Sequence, residues 1–241
     1  MRMETKSYLP AIKNYIDKMP SLPTTVTKIL EISNDPRTSP ADLNKVISLD
    51  PVLMGKVLKL INSAYYGLSQ EITSLVRAII MLGINTVKNL ALSTAILGSV
   101  GKTLKTTAIN PEGFWRHSLC TGVTAKLVAK MRKVDTKRLE EYFVAGLLHD
   151  IGKIPLNNRL TENYLMAIAV SDRENKPIVY GEEKALGFNH CDVGRIIVER
   201  WKLGKEIADS ILFHHKILEY TGDSKDILYT IVLSNYFANT A

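Results

Sequence analysis

The sequence has no hydrophobic run long enough to cross a bilayer. Its most apolar stretches, residues 78–84 and 90–100, fall well short of the roughly 20 residues that a membrane helix needs. The first ten residues mix Arg2, Glu4 and Lys6 with no apolar stretch, so we expect no leader or anchor there. We therefore expect a cytoplasmic protein without membrane contact.

Cysteine is nearly absent as well. Cys120 and Cys191 are too few for a disulfide scaffold, and their spacing does not fit a zinc knuckle. We interpret both as free or buried thiols. Proline and glycine are sparse and no segment is of low complexity, which excludes fibrous and disordered classes.

Strict alternation of apolar and polar residues, the pattern of a half-buried strand, is also missing. Apolar residues instead recur at helical spacing, which predicts an all-α protein. Ser39-Pro40 and Asp50-Pro51 each combine a capping side chain with proline at the first helical position, so two helices should begin there. Asp35-Pro36 should end an earlier one.

Residues 98–110, which are rich in glycine, lysine and threonine, predict a linker between two halves. We expect a lead-in at 1–20, a helical N-terminal half at 21–108 and a second half at 109–241. The helices predicted in the second half cover residues 114–131, 136–148, 160–174, 190–203, 205–215 and 225–239.

Basic charge is concentrated in the first half of the chain. Residues 1–116 carry 14 Lys and Arg against 8 Asp and Glu, while residues 117–241 carry 17 against 16. Such a surplus can attract a nucleic acid or a nucleotide phosphate, but on short helices it is more often solvated surface. Without a recognisable recognition helix, we do not expect a nucleic-acid partner.

All five histidines lie in the second half, and Asp150 directly follows His149. A single helical histidine is more often a structural hydrogen-bonding residue than a metal ligand, but this clustering favours a metal site. His149 and Asp150 end a predicted helix, where Gly146 permits close approach of a neighbour. Imidazole and carboxylate together suit iron, manganese or zinc better than calcium or magnesium.

The other candidate ligands lie on separate predicted helices. His117 is in register with Phe114 and Thr121 and should point inward. The other histidines lie at helix ends, and Asn235 shares a face with apolar residues, so it is either a ligand or a structural amide. The candidate metal ligands are His117, His149, Asp150, His190, His214, His215 and Asn235.

These residues resemble the HD superfamily of metal-dependent phosphohydrolases, in which a histidine, a later His-Asp pair and a final aspartate bind metal. His117, His149-Asp150 and Asn235 occupy those places. Residues 147–153, 190–194 and 214–215 also resemble the HD-GYP branch, whose additional histidines serve a second metal, although the GYP tripeptide is missing.

The N-terminal half is most similar to the HDOD (HD-related output domain) family. Together with the His-Asp segment, this likeness covers roughly residues 20–215. The segments that carry this likeness are Leu22-Pro23 and residues 46–51, 58–64 and 78–83. The resemblance implies an N-terminal helical subdomain packed on an HD-like helical core. It also implies a signalling output module that binds a protein partner or a nucleotide, and a homodimer is left open.

Two functions follow from this resemblance. In the first, the module signals without turnover and its metal pocket is vestigial or structural, because Asn235 brings no negative charge where the phosphohydrolases have aspartate. In the second, the chain is a phosphohydrolase acting on phosphomonoesters, nucleotides or cyclic dinucleotides, with Asp150 and Lys153 as its catalytic residues. His117, His149 and Asp150 hold one Fe, Mn, Zn or Mg ion, the other three histidines lie near it or hold another, and Lys153 steadies the phosphate. A solvated lysine after a helix end is the favoured alternative for Lys153, ahead of this catalytic role.

Overall fold

The computed structural model describes residues 8–19, 24–33, 37–64, 66–100, 103–105, 107–135 and 138–240. No strand occurs among these residues, which confirms the all-α prediction. They form the following helices: α1 Leu9–Lys18, α2 Thr24–Ser33, α3 Pro40–Ile47, α4 Pro51–Ile61, α5 Leu75–Leu82, α6 Ile84–Val100, α7 Pro111–Met131, α8 Leu139–Leu148, α9 Lys153–Arg159, α10 Thr161–Glu174, α11 Ile178–Leu186, α12 His190–Arg200, α13 Lys205–Phe213 and α14 Lys225–Thr240.

The described helices group into two compact units. One combines α1 with α7 to α14, and the other comprises α2 to α6. The described part of the lead-in is thus a helix of the histidine-bearing unit. The domain limits at 20/21 and 108/109 stay predictions. Leu22-Pro23 and the predicted stop at Asp35-Pro36 lie outside the described residues.

The unit of α2 to α6 begins its helices with the caps that the sequence predicts. Ser39 and Asp42 form a reciprocal capping box at the start of α3, and the Asp50 carboxylate accepts a hydrogen bond from the Leu53 backbone N–H at 2.9 Å. Helix α6 continues to Val100, so the first three residues of the predicted linker are helical. The core residues of this unit include Ile29, Leu43, Ile47, Val57, Ile79, Val87 and Ala91.

Helices α7, α8 and α14 pack together in the other unit. The contact between α7 and α8 is close because Gly122 faces Gly146. A Cβ added at Gly146 would lie 2.8 Å from the Cα of Gly122, so only glycine permits this approach. The packing brings the C-terminal end of α8 beside α7 and α14.

Helices α1, α9 and α11 are not among the sequence predictions. Each is short and contains or adjoins a residue that disfavours helix: Pro10 in α1, Pro155 in α9 and Gly181 in α11. Helices this short gain little stability from local propensity, and burial against neighbouring helices stabilises them. In α9, for example, Ile154, Pro155 and Leu156 are all buried.

A buried amide ties α9 to the segment before α7. The Oδ1 atom of Asn157 accepts hydrogen bonds from Thr107 Oγ1 at 2.8 Å, Ala108 N at 3.0 Å and Ile109 N at 2.9 Å. Its Nδ2 atom donates to the Lys105 carbonyl at 2.9 Å. Asn157 is fully buried, so these bonds satisfy backbone groups that water cannot reach.

None of the described helices has both the length and the apolar character needed to span a lipid bilayer.

Candidate metal centre

His149 and Asp150 follow the last turn of α8 and are both buried. The Nδ1 atom of His149 lies 2.7 Å from the Gly146 carbonyl oxygen, which can only accept a hydrogen bond. Nδ1 therefore carries the proton, and the Nε2 lone pair faces the site. Burial lowers the pKa of His149 to about 3, so the ring is neutral at physiological pH.

The first histidine group consists of His117, His149 and Asp150. The Nε2 atoms of the two histidines lie 3.3 Å apart, and each faces Asp150 Oδ2, at 3.7 Å from His117 and 3.4 Å from His149. Burial, partly offset by Asp150, lowers the pKa of His117. Asn235 on α14 lies beside His117, and its Oδ1 atom accepts a hydrogen bond from Asn239 at 3.1 Å.

The second histidine group consists of Asp150, His190, His214 and His215. Asp150 Oδ1 lies 3.2 Å from His190 Nε2 and 3.7 Å from His214 Nε2, and these two nitrogens are 3.3 Å apart. The ring of His215 lies at a centroid distance of 4.2 Å from that of His214 and is tilted by 46° relative to it. Each oxygen of Asp150 therefore faces one of the two groups.

The second group fits a metal ion. His190 Nδ1 donates to Glu182 Oε2 and His214 Nδ1 donates to the Ile211 carbonyl oxygen, both at 2.7 Å. Two Nε2 atoms thus face each other, and a proton or a cation must lie between them. Asp150 Oδ1 is buried and faces the Nε2 atoms of His190 and His214. Donor atoms sharing one metal ion lie roughly 3 to 3.5 Å apart when the bonds are about 2.1 Å.

The pKa values of the metal-free site agree with this arrangement. Burial opposes a charge on His214, but Cys191 and Asp150 outweigh it and raise the pKa to about 9. The pKa of His190 is likewise raised against the effect of burial, through Cys191 and Glu182. A proton therefore occupies this group when no metal does, and metal binding must displace it.

Lys153 points into the site from the first turn of α9. Its Nζ atom lies 2.7 Å from Asp150 Oδ2, the oxygen that faces the first group. Burial opposes the ammonium charge, but the adjacent Asp150 raises the pKa of Lys153. Despite burial, His149 and Lys153 hold the pKa of Asp150 well below its usual value. Lys153 is therefore not a solvated lysine, while its catalytic role stays a prediction.

The structure thus brings the predicted ligands from five places in the chain to one region. They come from α7, the end of α8, the start of α12, the end of α13 and α14. His190 occupies the first turn of α12 behind the predicted Asn189 cap, which forms a capping box with Asp192. The metal-binding roles of the individual residues stay predictions.

Two residues of the site are absent from the sequence predictions. Glu182 on α11 is fully buried behind His190, and the Cys191 thiol lies 3.7 Å from His214 Nδ1. Burial raises the pKa of that thiol, but His190 and His214 outweigh it and lower the value to about 6. The sequence offers no reason to choose Glu182 over Glu183, because the helix that buries one and exposes the other is not predicted.

Comparison with known proteins agrees with this fold. The sequence model of the HDOD domain family matches residues 19–217 of this chain. An HDOD domain protein of unknown function from Geobacter sulfurreducens has a crystal structure that is 27% identical, with a TM-score of 0.84 over 98% of this chain and 79% of that one. A candidate phosphohydrolase from Shewanella amazonensis is 23% identical, with a TM-score of 0.79 over 95% of this chain and 80% of that one.

A third structure, a candidate signal transduction protein from Marinobacter aquaeolei, is 22% identical, with a TM-score of 0.76 over 92% of this chain and 49% of that one. An uncharacterized protein of Treponema pallidum is 24% identical over 98% of this chain. The chain spans 45% of the length of that relative. Because the family model covers most of the sequence and the fold agrees, the chain belongs to the HDOD family.

Proposed function

We propose that this chain is a signal-transduction output module that binds a protein partner or a nucleotide and turns over no substrate. Its pocket holds one divalent transition-metal ion, bound by the second histidine group, as a structural or ligand-gathering centre. The observation that carries this proposal is the Lys153 Nζ atom at 2.7 Å from Asp150 Oδ2. That contact engages the carboxylate oxygen on which the first group depends.

The charges around the two groups support one ion rather than two. Asp150 is the single carboxylate that both groups share, and Lys153 already offsets its charge. Asn235, beside His117, is neutral and brings no charge to offset a metal ion. Two divalent ions close together would repel each other with little compensation, and two-metal hydrolysis needs both.

Asp150, His190, His214 and His215 would hold the ion. Three imidazoles and one carboxylate oxygen favour iron, manganese or zinc over magnesium. When bound, such an ion supplies Lewis-acid polarisation of an anionic ligand. The chain's own residues bind and orient: Gly146 and Ile211 fix the rings of His149 and His214 through their carbonyl oxygens, and Lys153 provides a positive charge at the pocket.

The signal that the module would bind is proposed to be a phosphate-bearing ligand such as a nucleotide. The ammonium of Lys153 would suit a phosphate-bearing ligand. The basic surplus of residues 1–116 fits either a nucleotide or a protein partner. The relative from Marinobacter aquaeolei, whose fold this chain shares, is described as a candidate signal transduction protein. A partner protein and a homodimer are the other outcomes of binding experiments.

Metal content of the purified chain tests the proposal. Elemental mass spectrometry should find about one iron, manganese or zinc per chain. The ion should be lost in His190→Ala and retained in His149→Ala, since His149 belongs to the first group alone. Asn235→Asp should raise the content toward two by restoring a charge beside His117. A metal-free wild type that binds no added Mn²⁺ would overturn the proposal.

A phosphohydrolase is the second candidate, and the shared carboxylate favours it. Asp150 presents one oxygen to each histidine group, which is an arrangement suited to two ions. Phosphomonoesters, nucleotides and cyclic dinucleotides should then be hydrolysed by the Mn²⁺- or Fe²⁺-loaded chain, and His149→Ala should abolish hydrolysis. Turnover in the ordinary enzyme range of roughly 1 to 1,000 per second would replace the module proposal.

A further inference from the structure

Glu182 is a fully buried carboxylate outside the predicted ligand set. Its Oε2 atom accepts two hydrogen bonds from one residue: the His190 backbone N–H at 2.9 Å and the His190 Nδ1–H at 2.7 Å. Its Oε1 atom is buried and makes no hydrogen bond with the described residues. A buried carboxylate is costly unless it is paired; His190 supplies both hydrogen bonds to Oε2, and the buried Tyr164 hydroxyl also lies beside the carboxylate.

The two bonds determine where the other ring nitrogen points. Because the backbone and the ring of His190 are held by one oxygen, the imidazole can turn little about its side-chain bonds. Its Nε2 atom is thereby directed to Asp150 Oδ1 at 3.2 Å and to His214 Nε2 at 3.3 Å. A histidine that donates Nδ1–H to a carboxylate is also a more basic ligand at Nε2.

The other buried histidines have weaker support. His149 and His214 each donate Nδ1–H to a neutral backbone carbonyl, of Gly146 and Ile211 respectively. Hydrogen bonds to a charged acceptor are roughly twice as strong as bonds between neutral groups. The second group therefore has a carboxylate behind one ligand, while no such carboxylate supports His149 in the first group.

The packing of α11 explains why a carboxylate can occupy this place. A Cβ added at Gly181 would lie 2.0 Å from the Ala167 carbonyl oxygen, so glycine lets α11 lie directly against α10. Gly187 then ends α11 in the left-handed conformation, with φ of +81°, and Asn189 begins α12 two residues later. This short connection fixes Glu182 in α11 relative to His190 in α12.

We propose that Glu182 is the positioning residue of the second histidine group and makes that group, rather than the first, the one that holds the ion. The first group then binds added Mn²⁺ only as a much weaker site. It orients His190 and supports its basicity, without touching the ion. This inference rests on the proposed function, in which the pocket binds a metal.

The test uses Mn²⁺ alone as the probe, with the 241-residue chain titrated by electron paramagnetic resonance. Glu182→Met keeps the side-chain length but removes both acceptors. It should weaken the tighter Mn²⁺ site by about 10- to 100-fold and leave the weaker site unchanged. Glu182→Gln keeps one oxygen for His190 without the charge, so its affinity should fall between those of Glu182→Met and the wild type.

The matched control is Glu199→Gln, which removes an exposed carboxylate from α12, the helix that carries His190. It should bind Mn²⁺ like the wild type. Mn²⁺ titration of His190→Ala and His149→Ala shows which of the two affinities belongs to the second group and which to the first. If His190→Ala loses no ion, the proposed metal function fails. If His190→Ala loses the tighter ion but Glu182→Met binds it normally, the role of Glu182 alone fails.

Two further results would overturn the positioning role. In one, Glu182→Met weakens both sites by the same factor while lowering the melting temperature, as a merely structural residue would. In the other, Glu182→Gln binds Mn²⁺ as tightly as the wild type, and this variant remains decisive if Glu182→Met does not fold.

Discussion

The ammonium of Lys153 and the carboxylate of Asp150 form a contact of 2.7 Å between Nζ and Oδ2, three residues apart in sequence and both largely shielded from solvent. Lys153 is therefore a charge partner of the same oxygen that faces His117 and His149. A metal ion bound by the first group would have to share this oxygen with a fixed positive charge.

Removing that charge should strengthen the first group. We expect Lys153→Met to raise its Mn²⁺ affinity about tenfold or more, because a unit charge within a few ångströms costs on the order of 1 to 4 kcal/mol in partly shielded surroundings. Titration of the metal-free protein measures this. Lys184→Met, which removes an exposed lysine paired with Glu174, is the control. A loss of affinity at both groups would show that Lys153 supports the site instead.

Metal binding by the second group should depend on pH. The pKa of His214 is raised to about 9 in the metal-free site, so its ring is protonated at neutral pH and must lose that proton to bind metal. Affinity should therefore rise by up to about tenfold per pH unit from pH 6.5 to 8.5 and level off above pH 9. Calorimetry in buffers of different ionisation enthalpy should detect proton release. An affinity independent of pH over this range would contradict the prediction.

Gly152 should tolerate no side chain. A Cβ there would lie 1.9 Å from the His190 carbonyl oxygen and 2.6 Å from the Gly194 backbone nitrogen, so α9 and α12 would have to separate. We expect Gly152→Ala to lower the free energy of unfolding by about 3 kcal/mol or more and to displace His190.

Gly113→Ala is the matched control in the same unit, because the nearest atoms to its Cβ would lie at 3.9 Å. It should be neutral or stabilising by up to about 1 kcal/mol. Urea unfolding followed by tryptophan fluorescence measures both variants, since Trp115 and Trp201 lie in this unit. Equal stabilities of the two variants would show that α9 and α12 can separate at little cost.

Asn157 should be the most sensitive amide of the unit. Asn157→Ala leaves the Ala108 and Ile109 backbone N–H groups without their acceptor and should cost about 3 kcal/mol in the free energy of unfolding. Asn163→Ala, which loses one bond to the Tyr8 hydroxyl, should cost less than about 1 kcal/mol. Urea unfolding measures the stability of both variants. If Asn157→Ala were as stable as Asn163→Ala, the hydrogen bonds of Asn157 to the segment before α7 would contribute little to stability.

Much of the fold is predictable from local sequence. The caps at Ser39, Asp50 and Asn189 are visible as side chains in fixed positions relative to proline or an apolar face, and the structure has helices beginning at each. Capping and periodicity act over one or two turns, so the sequence displays them directly. The helices that escape prediction, such as α9 and α11, contain Pro155 or Gly181 and depend on burial.

The sequence by itself determined the helical class, the family resemblance and the list of histidines, because each rests on residue types at short spacings. Tertiary structure decided which oxygen of Asp150 each histidine faces, that Lys153 engages one of them, and that Glu182 rather than Glu183 supports His190. The contacts of Asp150 with His117, His190 and His214 and that of Glu182 with His190 join residues on different helices, whereas the Lys153 contact spans three residues across the turn between α8 and α9. They depend on close approaches such as that of Gly122 and Gly146, and a single chain of letters does not show how closely helices pack.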